Sequence, residues 1–414
     1  MTDQPSDREA ARRLLSAAAV RERCHALFEH ALAGRLDHFT VAPDRLDRAA
    51  DEVVATIRAS YPELDIPFHA RWRHFSAGGL DRWASVVPMA PWTEVAEMAR
   101  AAFDLAIVSV LLDAGAGPDW RYEEGRTGEV FARSEGLAVA SFEMFISGAF
   151  SMRPDDPFRV DAEALIALSP EELASGLQAG PGNPLVGVEG RAALLNRLGR
   201  TIADDPDIFA REDSARPGGL FDALADEAQD GVVAAPRILE AVLFHLGPIW
   251  PGRIALAGLD LGDTWRHPLA RAADATDGLV PFHKLSQWLS YSLIEPLEWA
   301  GLAVGEVGGL TGLPEYRNGG LFLDAGVLAL KHPAEAGAAH EVGSRLVVEW
   351  RALTVALLDR VAPLVREKLG VSEEDLPLAK VLEGGTWAAG RRLARERRPD
   401  GAPPLKVISD GTVF

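Results

Sequence analysis

The chain has 414 residues, 48% hydrophobic and 25% charged, an ordinary globular composition and long enough for two packed lobes. A formal net charge of −19 argues against wrapping nucleic acid or lying on an anionic membrane, and leaves a small anion only a locally basic pocket. The single cysteine, Cys24, excludes an internal disulfide framework and a cysteine-rich zinc site, so a reducing cytoplasm is the expected compartment.

The opening MTDQPSDREAARRLLS has early acids and no apolar stretch, so no secretory signal is expected, and apolar runs such as residues 106–112 are too short to span a bilayer. Residues 8–34 read as one mixed-charge helix closed by Gly34. Asp44 suits the cap of a second helix, whose stripe is Leu46, Ala49, Val53, Val54 and Ile57, ending at Tyr61-Pro62. Next comes IPFHARWRHF, residues 66–75, the densest basic-aromatic patch in this acidic chain, with His69, Arg71, Trp72, Arg73 and His74. Arginine forks suit phosphate or carboxylate, and a charged loop paired to surface acids would read the same way. His69 and His74 lack the i,i+4 spacing of a helical metal pair, so no metal is expected.

Residues 93–113 form a strongly apolar helix, and another starts near Leu137 after a polar stretch containing Trp120, Tyr122, Arg133, Ser134 and Glu135. The polar, proline-bearing segment 153–157 is the candidate boundary between lobes 1–155 and 156–414, with a ligand cleft between them. Ser169-Pro-Glu-Glu172 is a capping box with proline in the first turn. Helices follow at 191–204, 218–229 and 236–246, and a short one is expected within 246–265.

Residues 277–301, DGLVPFHKLSQWLSYSLIEPLEWAG, concentrate functional side chains. A helix should begin near Pro281, with Phe282, Leu285, Leu289, Leu293 and Leu297 on one face and His283, Lys284 and Gln287 on a neighbouring stripe, until Pro296 kinks or ends it. Trp288 and Tyr291 would wall a pocket, although a core helix with satisfied polar groups fits the same pattern. Glycine-rich residues 303–325, with Arg317 and alternating Leu321 to Asp324, suggest a small β-hairpin. Residues 344–369 form a long helix stopped by Gly370. The basic tail contains Trp387, Val407, Ile408, Val413 and Phe414, so an ordered end is expected. The fold class is therefore mainly α, two-lobed, with a small hairpin insertion.

There is no GxSxG, HExxH, catalytic-cysteine context or post-strand GxGxxG, which argues against common hydrolases, zincins and Rossmann enzymes. What remains is arginines, histidines, aromatics and isolated carboxylates, a set that suits a small phosphorylated ligand with no cofactor. It permits, without singling out, hydrolysis of an N-glycosidic bond, in which a carboxylate stabilises an oxocarbenium-like transition state.

Five stretches resemble a family of fungal and bacterial uracil-catabolism proteins, the fourth-numbered component of the URC pathway, long treated as a domain of unknown function. They are AAVRERCHALFEHALAGRLDHF (18–39), IPFHARWRHF, LVPFHKLSQWLSYSLIEPLEWAG (279–301), RNGGLFLDAGVL (317–328) and ISDGTVF (408–414). The C-terminal two-thirds also looks like the queuosine-nucleotide salvage hydrolases, helical relatives of DNA glycosylases that cleave a base from ribose 5′-phosphate. PLVGVEGRAALLNRLG (184–199), the run from Pro251 to Leu261 with Arg253 at a lysine position, HKLSQWLSYS and GSRLVVEWRALTV (343–355), with Glu349 and Arg351, carry that likeness. The salvage enzymes' acidic residue is missing, with Phe282 or His283 in its place, and Glu295 or Asp324 would substitute.

The resemblance implies a cytoplasmic N-ribosyl hydrolase of uracil degradation, cleaving a ring-opened UMP product such as phosphoribosyl-urea. His283, Glu295 and Asp324 would be acid/base groups. Arg73, Arg253, Lys284 and Arg317 would bind phosphate or ribose, joined by His74 and Gln287, with Trp72, Trp288 and Tyr291 as walls. A non-catalytic nucleotide binder or scaffold, and an amidase acting on a ureido intermediate, are the alternatives. Oligomeric state is left open.

Overall fold

The structure is a computed structural model that describes residues 6–211, 214–250 and 253–408. It is mainly helical, and its strands are short and paired two by two. The long helix Arg345–Leu369 is the spine. It starts on the Ser344 cap and stops at Gly370, whose φ of 74° is left-handed and favours glycine. The helices Ala17–Leu32 and Leu46–Ser60 pack along it. Beside it, Lys284–Trp299 lies against Val95–Leu111 and Ala235–His245, while Tyr316–Asp324 lies against Trp387–Arg397. The apolar core is one connected cluster from Ala11 to Leu405, crossing the segment 153–157, with helices of both halves in it. Cys24 is fully buried within it. Among the described residues no helix is long and apolar enough to cross a membrane.

Several expectations are revised by tertiary contacts. The first helix is broken into Asp7–Leu14 and Ala17–Leu32, because the Ser16 hydroxyl accepts the amide of Ala19 and starts a new cap. Within 246–265, the helix expected is instead a single 3₁₀ turn, Gly247–Ile249, followed by short strands. Residues 303–325 do not form a hairpin. Ala303–Gly305 pairs in parallel with Val232–Ala234, and the apparent alternation at Leu321–Asp324 lies in the helix Tyr316–Asp324. Lys406–Ile408 pairs in parallel with Ala339–Glu341, so the tail is ordered that far, while Val413 and Phe414 lie outside the described residues.

Pro281 does not open the central helix. It ends the strand Leu279–Pro281, paired antiparallel with Thr264–Arg266, and the helix begins only at Lys284 after His283 turns through a left-handed conformation. Pro296 leaves the helix intact to Trp299. Proline has no amide proton, so the Ser292 carbonyl one turn earlier loses its helical donor. The Trp72 indole N–H fills that place at 2.7 Å. Trp72 is thus packed in the core, edge-on to Trp83 and Trp299.

Candidate functional site

The start of the central helix is held by one carboxylate. Asp263 accepts the backbone amide of Lys284 at 3.0 Å and binds the Arg351 guanidinium through both oxygens, at 2.8 and 2.6 Å. Asp263 and Arg351 are both buried, and Lys284 is half-buried. Burial alone would raise the Asp263 pKa, but Arg351 outweighs it and holds the carboxyl well below the usual range. The pair fixes the direction in which Lys284 leaves the helix. Among the described residues the Lys284 ammonium has no hydrogen bond or ion pair. Burial pushes its pKa down, while Glu315 and Asp113 favour its charged form.

The helix Arg71–Phe75 supplies the opposite side. Arg71 is fully buried; its Nε donates to Ser109 Oγ at 2.8 Å, and its Nη1 lies 3.3 Å from Asp113 Oδ2 and donates to the Ser134 carbonyl at 3.3 Å. Its Nη2 has no partner among the described residues. A buried guanidinium donor left unpaired costs free energy, and such a group is a candidate ligand contact. The Trp288 ring lies 5.6 Å from the same guanidinium, and its indole N–H is likewise buried without a partner. His74 is edge-on to Trp288, its ring centroid 5.7 Å away, and its Nδ1 faces Arg71 Nη1 at 3.4 Å. Burial, and after it the Arg71 charge, pushes the His74 pKa down to about 4, so the ring is neutral near pH 7.

His69 and Glu383 close the cluster, with His69 Nδ1 and Glu383 Oε2 2.6 Å apart. Burial pushes the Glu383 carboxyl up, but the His69 hydrogen bond and nearby positive charge bring it below its ordinary value. Glu383 sits in the π-helical turn Leu382–Thr386, the kind of turn that often marks functional sites. The glycine at 385 lets this turn touch the helix Leu46–Ser60, since a Cβ there would lie 2.5 Å from Val53. Glu315 caps the helix Tyr316–Asp324, taking the amides of Arg317 at 2.6 Å and Asn318 at 2.5 Å, and its carboxyl is pushed up by burial.

Three of the sequence-derived candidates, His74, Lys284 and Trp288, therefore join one cluster with His69, Arg71, Asp113, Glu315 and Glu383. The others are engaged elsewhere. His283 points its Nε2 at the Leu14 carbonyl at 2.9 Å. Arg73 pairs with Glu295 at 2.5 Å on the outer side of the cluster, and burial pushes the Glu295 carboxyl up against that pull. Asp324 is clamped by Arg398 at 2.8 and 2.6 Å and ties the helix Tyr316–Asp324 to the C-terminal segment. Gln287 and Tyr291 both bond Thr311, at 2.8 and 2.9 Å, and serve the core. Arg253 packs against Trp250 and Trp265. Arg317 donates to the Gly401 carbonyl at 2.9 Å.

Asp113 and Glu383 escaped sequence reasoning because each is one acid at an element end. The faint signals were a lone acid closing an apolar helix in LLDAGAG and the glycine pair in LEGGTW. A separate cavity of about 1020 Å³ lies between the N-terminal helices and Ala235–His245, but Arg13 and Arg237 on its wall are already paired with Asp274, Glu227 and Glu240. Among the described residues no three histidine, cysteine or acidic side chains converge as metal ligands.

A family described as proteins of unknown function, DUF1688, matches residues 13–414. The chain belongs to this family. Within reach of it, Protein urg3 of Schizosaccharomyces pombe is 40% identical over 417 residues, covering 98% of this chain and 99% of that one. Uracil catabolism protein 4 of Lachancea kluyveri is 39% identical over 437 residues, covering 96% of this chain and 98% of its own. The family resemblance drawn from the five quoted stretches is borne out over nearly the full length.

Proposed function

We propose that the protein acts in uracil catabolism as an N-ribosyl hydrolase, cleaving a ring-opened UMP product such as phosphoribosyl-urea to ribose 5-phosphate and urea. The pathway is supported by the name of the relative from Lachancea kluyveri. The chemistry is supported by one observation: Arg71, held against Asp113 through Nη1, and Trp288, 5.6 Å from that guanidinium, each keep a buried donor without a partner, and Asp113 also acts on the charge of the unpaired Lys284 ammonium.

In this reading water attacks C1′ on the face opposite the urea nitrogen. The C1′–N bond breaks, its electron pair goes to nitrogen, and Lys284, whose proton is loosened by burial, protonates the departing urea. Asp113 takes the proton of water and stabilises the oxocarbenium-like transition state. Arg71 holds Asp113 in place through Nη1 and donates its remaining Nη2 to the urea carbonyl. Neutral His74, whose Nδ1 accepts from Arg71, donates its Nε2–H to a ribose hydroxyl, and Trp288 walls the ring. Of the acid/base groups expected from sequence, Glu295 remains beside the cluster through Arg73, where it positions Arg73.

The test is a proton NMR time course of the protein with phosphoribosyl-urea, following the anomeric signal. Its loss with matching ribose 5-phosphate and urea is the expected result. An unchanged anomeric signal with line broadening would mean a binder, and ammonia release with the glycosidic bond intact would mean an amidase; either would overturn the hydrolase.

A further inference from the structure

The helices Tyr316–Asp324 and Trp387–Arg397 touch at their backbones: a Cβ on Gly390 would lie 2.1 Å from the Arg317 carbonyl oxygen. That contact sets Arg317 beside Arg391. Arg391 stacks on Trp387 at 5.3 Å and, with Arg395 and the mutually paired Arg392 and Glu396, lines a groove of about 490 Å³. Among the described residues neither Arg133 nor Arg391 makes a hydrogen bond or ion pair, and Arg317 reaches only a backbone carbonyl and the Tyr316 ring at 5.1 Å. In a chain of net charge −19, arginines gathered with one carboxylate near, Glu135, and no ion pair formed to it need a reason.

We propose that Arg133, Arg317 and Arg391 form a phosphomonoester subsite at the rim of the Asp113–Lys284 cluster. Two short backbone links join the two. Arg133 precedes Ser134, whose carbonyl binds Arg71. Arg317 lies two residues beyond Glu315, which favours the charged form of Lys284. A sugar phosphate laid across this rim puts its phosphate on the arginines and its anomeric carbon at Asp113. The mutual crowding of the arginines is consistent with this: burial first, then Arg395, push the Arg391 pKa down, with Arg133 and Arg317 adding to it and nearby Glu135 opposing it, and an arriving dianion relieves the remaining repulsion. Planar guanidinium forks match phosphate oxygens two at a time. The phosphate-binding set expected from sequence is thereby redrawn: Arg317 stays, while Arg73 and Arg253 give way to Arg133 and Arg391.

The identity of the sugar phosphate rests on the hydrolase reading, but the anion subsite is tested without turnover. Isothermal titration of the full chain with ribose 5-phosphate, and with ribose as the uncharged probe, reads it directly. Ribose 5-phosphate is expected to bind and ribose to bind at least tenfold more weakly. R133Q and R391Q should each weaken ribose 5-phosphate about tenfold, whereas R237Q, on the wall of the separate cavity, should leave its affinity within twofold. Both arginines are at least partly exposed, so a thermal melt close to wild type should accompany the loss. Wild-type affinity in R133Q and R391Q, or no preference for ribose 5-phosphate over ribose, would overturn the subsite. A phosphate preference that R391Q abolishes would keep it, even if the NMR assay shows no hydrolysis.

Discussion

Asp263 and Arg351, 88 residues apart in sequence, meet in a buried two-pronged ion pair whose carboxylate also holds the amide of Lys284. Removing one partner leaves the other charge buried alone, which costs about 3–5 kcal/mol. R351M should lower the unfolding free energy by about that amount in urea titration, and D263N should do the same through the unpaired guanidinium. The folded Asp263 pKa is depressed, so its contribution is complete above the unfolded value of about 4 and is lost as pH falls below it. Urea midpoints of wild type should drop through that acid window, and those of D263N should drop less.

His74 makes the opposite demand on pH. Its folded pKa, down to about 4, lies below the ordinary histidine value near 6.5, so the fold favours the neutral ring. The sign follows from linkage: the preference is fully felt above about pH 6.5, and stability declines as pH falls from there towards 4. H74Q should flatten that part of the stability–pH curve, and the His74 ring protons should titrate near pH 4 by NMR. A titration midpoint near 6.5 would remove the neutral ring from the proposed site.

Asp113 and Lys284 should separate by kinetics from the residues that merely hold them. D113N and K284M should each lower kcat on phosphoribosyl-urea by about 10²- to 10⁴-fold, the usual range for a positioned acid or base, with smaller changes in KM. D324N, which loosens the tie to Arg398, should instead lower thermal stability and leave kcat within a few-fold.

The π-helical turn offers a packing test. A Cβ at 385 would sit 2.5 Å from Val53 Cγ1 and 3.0 Å from Ile57 Cγ1, inside a packed core. G385A should therefore cost about 1–3 kcal/mol in unfolding free energy. Because the turn also carries Glu383 to His69, kcat should fall with it, and a G385A protein as stable as wild type would contradict the close packing.

The amino-acid sequence by itself determined the helical class, the spine helix with its Ser344 start and Gly370 stop, the Ser169 capping box and the family. These follow from apolar periodicity and caps, which act over a few residues and need no distant partner. It also pointed to His74, Lys284 and Trp288. Tertiary structure alone decided which polar groups meet. His69 finds Glu383 across 314 positions, and Arg71 finds Asp113 on a neighbouring helix end. It decided equally that Asp324, Gln287, Tyr291 and Trp72 are spent on internal bonds, and that Pro281 closes a strand while Pro296 sits inside a helix. The physical reason is the same in each case. A polar side chain under a protein surface takes whichever partner the packing brings to it, and no local pattern encodes that partner.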